Sequence, residues 1–312
     1  MTQNTRFVGI DVGKFEFCVY RADLEQPFSR PNTKAVHAEL AQRLGDPAGQ
    51  TIALEHTGGC EWALWEALEY AGFDVRQVSA AHVRNFARSL GNLAKTDPLD
   101  ARMIARFMAF RPDAGWQFPP KIVCELNVLT TKRRQFVACK KKLTCQMKQR
   151  GSQAVKELDE AHFALLIDQI TALETRIETV LQSDETLHQR AKILRSIPGV
   201  GPVLTAALIG QMPELGTLNE KQAAALVGLA PINCDSGKHT GKRRIKGGRT
   251  WLRHLLYQAA LVASNHNPAL RPFAQRLKEK GKPHKLVLIA VARKIIIIAN
   301  ALVAKNVVWR AM

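Results

Sequence analysis

A mixed α/β domain followed by a mainly helical second half is the fold class the sequence predicts, on three observations. Short apolar runs with strand character alternate with helical stretches through residues 1–112. A heptad seam then runs through a long helical region. From Ile193 onward, glycine-rich turns separate helices apolar enough to form a core. The 312 residues suggest about two domains. The boundaries predicted from these changes of character are 1–112, 113–190 and 191–312.

Arg6–Val12 and Lys14–Tyr20 read as two strands of a hairpin, with Gly13 at the tight turn. In the second, Phe15, Phe17 and Val19 alternate with Glu16 and Cys18, a half-buried pattern. Val36, Leu40 and Leu44 stand four apart in a helix over Thr33–Leu44. Thr51–Glu55 is a short apolar strand that ends in a carboxylate. Glu61–Ala71 is helical, Phe73–Val78 is a strand and Ala80–Leu90 is helical again. A last helix of this unit opens at Thr96–Asp97, with Thr96 as N-cap and Pro98 in the first turn, and runs to about Phe110. A hairpin followed by alternating helix and strand builds a mixed sheet.

Pro112, Pro119 and Pro120 punctuate the end of this unit. A very basic helix over about Val123–Arg150 precedes a seam of Leu166, Ile170, Leu173, Ile177 and Val180, spaced 4, 3, 4, 3. The pair reads as a helical hairpin or protruding coiled coil. Its seam is expected to contact a second chain, with an ordinary pair inside one chain as the alternative. Ser196-Ile197-Pro198-Gly199-Val200-Gly201-Pro202 has the signature of a helix-hairpin-helix. Gly199 and Gly201 would there let backbone N–H groups approach a phosphate, unless the turn is plain packing. A polar basic loop occupies Asn233–Gly248, and helix returns from about Thr250.

The net charge of +18 sits entirely in the second part of the chain. Residues 1–112 hold 13 basic and 13 acidic side chains, and residues 113–312 hold 32 and 14. Lys132–Arg150 carries eight Lys/Arg and no Asp/Glu, among them Lys132, Arg133, Arg134, Lys140, Lys141 and Lys142. Lys238–Arg253 carries seven and none, among them Lys238, Lys242, Arg243, Arg244, Lys246 and Arg249. Such fields attract polyanions through phosphates and counterion release. The basic stretches lack the bulky apolar face of a membrane binder, so nucleic acid is the expected partner. The strongest apolar run, Ile295–Ile298 within Lys285–Lys305, is preceded by Arg293 and Lys294, so no membrane span is predicted. The N-terminus lacks the basic-then-apolar pattern of a signal sequence. Cys18, Cys60, Cys124, Cys139, Cys145 and Cys234 show no CxxC spacing. Together these predict a reducing, cytoplasmic setting with neither a disulfide framework nor a zinc site.

Asp11 is the lone charge in the apolar strand VGIDVG, and Glu55 ends the next core strand. Asp97 and Asp100, three apart at a helix start, share one face. If the two strands are neighbours, the four carboxylates converge. Oxygen-only ligands suit magnesium, or manganese, and such ions clamp a scissile phosphate. Taken singly, the two aspartates could simply favour a helix N-terminus, and Glu55 could be a strand-end acid.

GIDVGK (9–14), ALEHTGGCEWALWEAL (53–68), AKTDPLDARMIARF (94–107), RSIPGVGPVLTAALIG (195–210) and GLAPINCDSGKHTGKRRIKGGRTWLRHLLYQAA (228–260) resemble, in this order, blocks of the insertion-sequence 110 transposases. These are the DEDD transposases, related to the pilin-gene invertases. The resemblance spans nearly the whole chain. It implies a RuvC-like N-terminal domain of RNase H fold, a coiled coil, and a C-terminal transposase domain. It matches Asp11, Glu55, Asp97 and Asp100 to the metal-binding carboxylates and Ser236 to a nucleophilic serine. It further implies donor and target DNA as substrates, a structured bridge RNA as guide, and a homo-oligomer, a dimer assembling to a tetramer on DNA. Ser236 by itself is only a loop serine among basic neighbours, since a free hydroxyl is a poor nucleophile. Other readings are a junction resolvase that uses water, a non-catalytic nucleic-acid binder, and a sugar kinase. GIDVGK also resembles the first phosphate loop of actin-like sugar kinases, but no second loop follows.

Overall fold

The computed structural model describes residues 6–23, 26–92, 94, 96–149, 151–233, 235, 241 and 243–310. The chain forms two compact units, Met1–Pro119 and Pro120–Met312.

The first unit holds β1 (Arg6–Val12), β2 (Glu16–Arg21), β3 (Phe28–Pro31), α1 (Lys34–Leu44), β4 (Gln50–Glu55), α2 (Trp62–Tyr70), β5 (Asp74–Val78), α3 (Ala80–Ser89) and α4 (Asp97–Phe110). The sheet order is β3-β2-β1-β4-β5. β1–β2 and β2–β3 are antiparallel, while β1–β4 and β4–β5 are parallel. The expected mixed sheet is therefore present, with the two carboxylate-bearing strands as central neighbours.

Alternation along the strands sorts two cores. Val8, Ile10, Val12, Ile52, Leu54 and Val75 face α1 and α2, where Leu40, Leu64, Trp65 and Leu68 cover them. Phe7 and Ala53 face the other way, against Met103, Ile104, Phe107 and Met108 of α4 and Val83 and Ala87 of α3. Glycine is required at position 9. A Cβ there would stand 2.1 Å from the Ala101 carbonyl oxygen and 2.5 Å from the Ala105 nitrogen, so α4 lies directly on β1. Gly9→Ala is expected to push α4 off the sheet, destabilising the unit by about 1–3 kcal/mol. Urea unfolding reads this directly, and an unchanged midpoint would refute the close approach.

The structure corrects or adds to the sequence reading at three points. Phe15 is 79% exposed beside the turn, whereas Cys18 is buried with Phe17 and Val19, because β2 is covered on both faces. β3 has no counterpart in the sequence reading: it is four residues long and ends in Pro31, which an edge strand tolerates. Thr96 occupies the N-cap of α4 with extended backbone, but its side chain makes no capping hydrogen bond.

The second unit contains α5 (Lys121–Gln146), α6 (Gln153–Gln182), α7 (Glu185–Arg195), α8 (Pro202–Gln211), α9 (Glu220–Leu226), the strand pair β6 (Pro231–Ile232) and β7 (Arg244–Ile245), α10 (Thr250–His266), α11 (Leu270–Glu279) and α12 (His284–Lys305). α6 packs along α5, and Leu166, Ile170, Ile177 and Val180 of its seam are buried within the single chain. Ion pairs Arg133–Glu174 and Arg176–Glu125 tie the two helices at their surface. The seam's partner in this structure is therefore α5. By length and composition α12 could cross a membrane. However, its Val287, Leu288, Val291, Ile295 and Ile296 lie in the unit's core, and the helix packs against α7, α9, α10 and α11.

Candidate active site

β1 and β4 run parallel with Ile10 beside Leu54, so the next residues are Asp11, one short of the end of β1, and Glu55, the last of β4. By alternation both belong to the face of Gly9 and Ala53, the face that carries α4. Ala101 and Ala105 of that helix sit on Gly9, while Phe7, further back along β1, belongs to the core with Phe107 and Met108. α4 therefore runs opposite to β1, and its first turn, with Asp97 and Asp100, lies toward Asp11.

Cys18 reports on this neighbourhood. It pairs with Asp11 across β1–β2 and is buried. Burial raises its thiol pKa; the hydrogen bond with Ser29 opposes this, and the charges of Asp11 and Asp97 raise it further. The thiol thus stays protonated beside the acidic groups, and the available donor set is oxygen-only. That suits magnesium and manganese. Among the described residues, no three His, Cys, Asp or Glu side chains are grouped closely enough to hold an ion as they stand. The backbone places Asp11 and Glu55 on adjacent strands, with the first turn of α4 toward the same end of the sheet.

The sequence reading missed Glu61, within the HTGGCEW segment that follows Glu55. Its carboxylate is fully buried. Oε2 accepts hydrogen bonds from Thr57 Oγ1 and the Gly59 N–H, both at 2.8 Å. Oε1 accepts from Gln77 Nε2 at 2.9 Å and lies 2.8 Å from His56 Nδ1. These bonds hold the turn 56–59 in place and so fix where Glu55 ends its strand. Burial raises the Glu61 pKa, but the hydrogen bonds outweigh it and the net shift is downward. Because the folded pKa is depressed, the stabilisation is present above the ordinary carboxylate range and lost as pH falls through the folded value. Glu61→Gln would aim an amide N–H₂ at groups that are themselves donors, at an expected cost of about 1–3 kcal/mol. The stability gap between wild type and this variant should be full at neutral pH and shrink below the ordinary carboxylate range. A gap that did not vary with pH would mean the charge is irrelevant.

In the second unit, β6 and β7 pair antiparallel, Pro231 with Ile245 and Ile232 with Arg244, so residues 233–243 form their connection. The Gly241 N–H donates to Asp235 Oδ1 at 2.9 Å across it. Ser236, Lys238 and Lys242 lie outside the described residues, between or beside these anchors. The hairpin base is pinned by Gly228, Gly247 and Gly248, all at positive φ. A Cβ on Gly228 would stand 2.2 Å from the Gly247 oxygen, and one on Gly248 2.2 Å from the Gly228 nitrogen. Arg253 Nη1 donates to the carbonyls of both Gly228 and Gly247.

The expected nucleic-acid contacts divide by environment. Lys141, Lys142, Arg243, Arg244 and Lys246 are exposed, and Lys140 is half-buried. Lys132 lies over the Phe136 ring and Arg134 over Trp251. Arg133 is bonded to Glu174. Arg249 forms a two-pronged pair with Glu214 at 2.9 and 2.6 Å, holding the hairpin base to the end of α8. Gly199 is explained by packing. It has a φ of 102°, and a Cβ there would stand 2.8 Å from that of Ala263 on α10. Gly201, the N-cap of α8, is exposed with nothing within 4 Å of such a Cβ.

Two family profiles match this chain. A DEDD profile of the IS110 group, described as "Transposase", matches residues 8–155. The "Transposase IS116/IS110/IS902 family" profile matches residues 191–275. The pilin gene-inverting protein of Moraxella lacunata is 29% identical over 315 residues, covering 96% of each chain. That of Moraxella bovis is 28% identical over the same span. The insertion element IS116 44.8 kDa protein of Streptomyces clavuligerus is 24% identical over 366 residues, covering 92% of each. The first profile spans the sheet with its carboxylates and the second spans the glycine-pinned hairpin. The chain thus belongs to the IS110 family of transposases.

Proposed function

We propose that this transposase recombines donor and target DNA by serine-nucleophile phosphoryl transfer, guided by a structured bridge RNA from the element's non-coding end. What supports the chemistry is that Asp11 and Glu55 stand on neighbouring parallel strands, and that α4, whose first turn carries Asp97 and Asp100, packs on β1. The glycine-pinned hairpin that spans Ser236 supports the choice of nucleophile.

In this reading Ser236 Oγ attacks a backbone phosphorus. The P–O bond to the 3′ oxygen breaks, the serine proton is taken up as the 3′-hydroxyl leaves, and a 5′-phosphoserine diester remains. A 3′-hydroxyl of the partner strand reverses the step and frees the serine, so no high-energy cofactor is consumed. Magnesium held by the four carboxylates would supply charge stabilisation on the phosphate and the attacking or leaving oxygen. The exposed cations on and beside β7 and along α5 hold phosphates of DNA and RNA. Carboxylates and serine belong to different compact units, and the reaction is assigned to a homo-oligomer in which both are brought to one phosphate.

The test is strand exchange between donor and target duplexes with magnesium, with and without RNA transcribed from the element's non-coding end. Exchange that depends on this RNA supports the reading. Exchange without it removes the guide. Nicking with no covalent protein–DNA product favours the resolvase that uses water.

A further inference from the structure

The pairing of Arg293 and Lys294, in the middle of the most apolar helix, has no role in the chemistry above. Both line a cavity of about 470 Å³ between α12, α11 and the β6–β7 hairpin. This lies within the roughly 300–1,000 Å³ typical of small-ligand sites. Phe273 and Ile245 give it an apolar wall, while Arg243 and Glu220 complete its polar lining. Lys294 Nζ stands 6.0 Å from the centre of the Phe273 ring. Arg293 Nε is buried without a hydrogen-bond partner.

We propose that this cavity takes one unpaired nucleotide of single-stranded DNA adjacent to the cut. Three cations, Arg243, Arg293 and Lys294, against the one carboxylate of Glu220 suit a phosphodiester. A flat base fits against Phe273, since every base has a face that stacks on an aromatic ring. The Glu220 carboxylate can accept from an amino group on the base edge. A fully paired duplex can bring phosphates to the exposed cations, but it cannot lay a base against Phe273 without extruding it. Since β6 and β7 form the cavity wall, the nucleotide held is one beside the strand that the 233–243 connection meets. The inference rests on the reading of that connection as the cutting loop.

The probe is a single-stranded 12-nucleotide DNA carrying 5-iododeoxyuridine, photo-crosslinked to the full-length protein and compared with the same sequence as a blunt duplex. The crosslink is expected on Phe273 or its α11 neighbours, from the single strand and not from the duplex. Lys294→Gln, an exposed change, and Phe273→Leu, which keeps apolar volume, should each weaken single-strand affinity on the order of tenfold and duplex affinity by less than about twofold. Equal weakening of both would overturn the proposal and make the cavity a general phosphate surface. So would a crosslink located elsewhere, or none. The crosslink needs no cleavage. Its presence without any Ser236 adduct would remove the nucleophile and leave the pocket; the adduct without the crosslink would remove the pocket alone.

Discussion

Ser236→Ala is expected to keep the fold and nucleic-acid binding while losing both strand exchange and the covalent protein–DNA product. The position lies in the connection between β6 and β7, whose base is held by Gly228, Gly247, Gly248 and Arg253. A loop substitution away from such anchors costs within about 0.5 kcal/mol, so loss of activity would not be loss of structure. A suicide substrate that traps the attacked end should give, with wild type, a band shifted on a denaturing gel, stable to boiling and removed by protease. Ser236→Cys offers a second reading, because a thiolate is a stronger nucleophile near neutral pH. A trapped thiophosphate adduct would place the attack at this side chain. An adduct formed at wild-type rate by the alanine variant would place the nucleophile elsewhere.

Much of the first unit was legible because its strands carry two independent signals. Val8, Ile10 and Val12 mark one covered face, and the lone charge at Asp11 marks the end of the other. The adjacency of β1 and β4 entered the sequence reading only as a condition; the structure has the two strands paired in parallel, with Glu55 following the residue beside Ile10. β3 was not legible, since four residues ending in proline carry no period. Glu61 was passed over because a glutamate opening a helix is unremarkable in sequence. Its four hydrogen-bond partners come from residues 56, 57, 59 and 77, and only the folded chain brings Gln77 to it.

The second unit shows where charge and glycine patterns mislead. Gly199 was read as opening the backbone to phosphate or as plain packing, and the packing is present: its missing Cβ makes room for Ala263 on α10. Arg249 counted toward a basic field, yet it is bonded to Glu214, thirty-five residues away in sequence. A run of like charge shows the sign of a surface; it does not show which members already have partners. The seam of α6 was legible as a seam, but heptad spacing is the same whether the partner is another copy or α5.

Replacing Asp97 by alanine is expected to lower strand cleavage by roughly three powers of ten, the equivalent of several kcal/mol of lost charge stabilisation, while binding of DNA and RNA persists. Asp97 is exposed in the first turn of α4, so little packing is lost with it. Its charge also helps raise the pKa of the buried Cys18 thiol, the cross-strand neighbour of Asp11. Asp97→Cys separates a metal ligand from a charge that merely favours the helix N-terminus. Thiolate is a poor ligand for magnesium and a better one for softer ions. Cleavage by this variant should therefore fail in magnesium and return in part with manganese. Asp97→Asn, which keeps the shape and loses the charge, should return with neither. If Asp97 only complements the helix dipole, all three variants will cleave near the wild-type rate and lose no more than about 1 kcal/mol of stability. That result would remove Asp97 from the metal set and leave Asp11, Glu55 and Asp100 to be tested in turn.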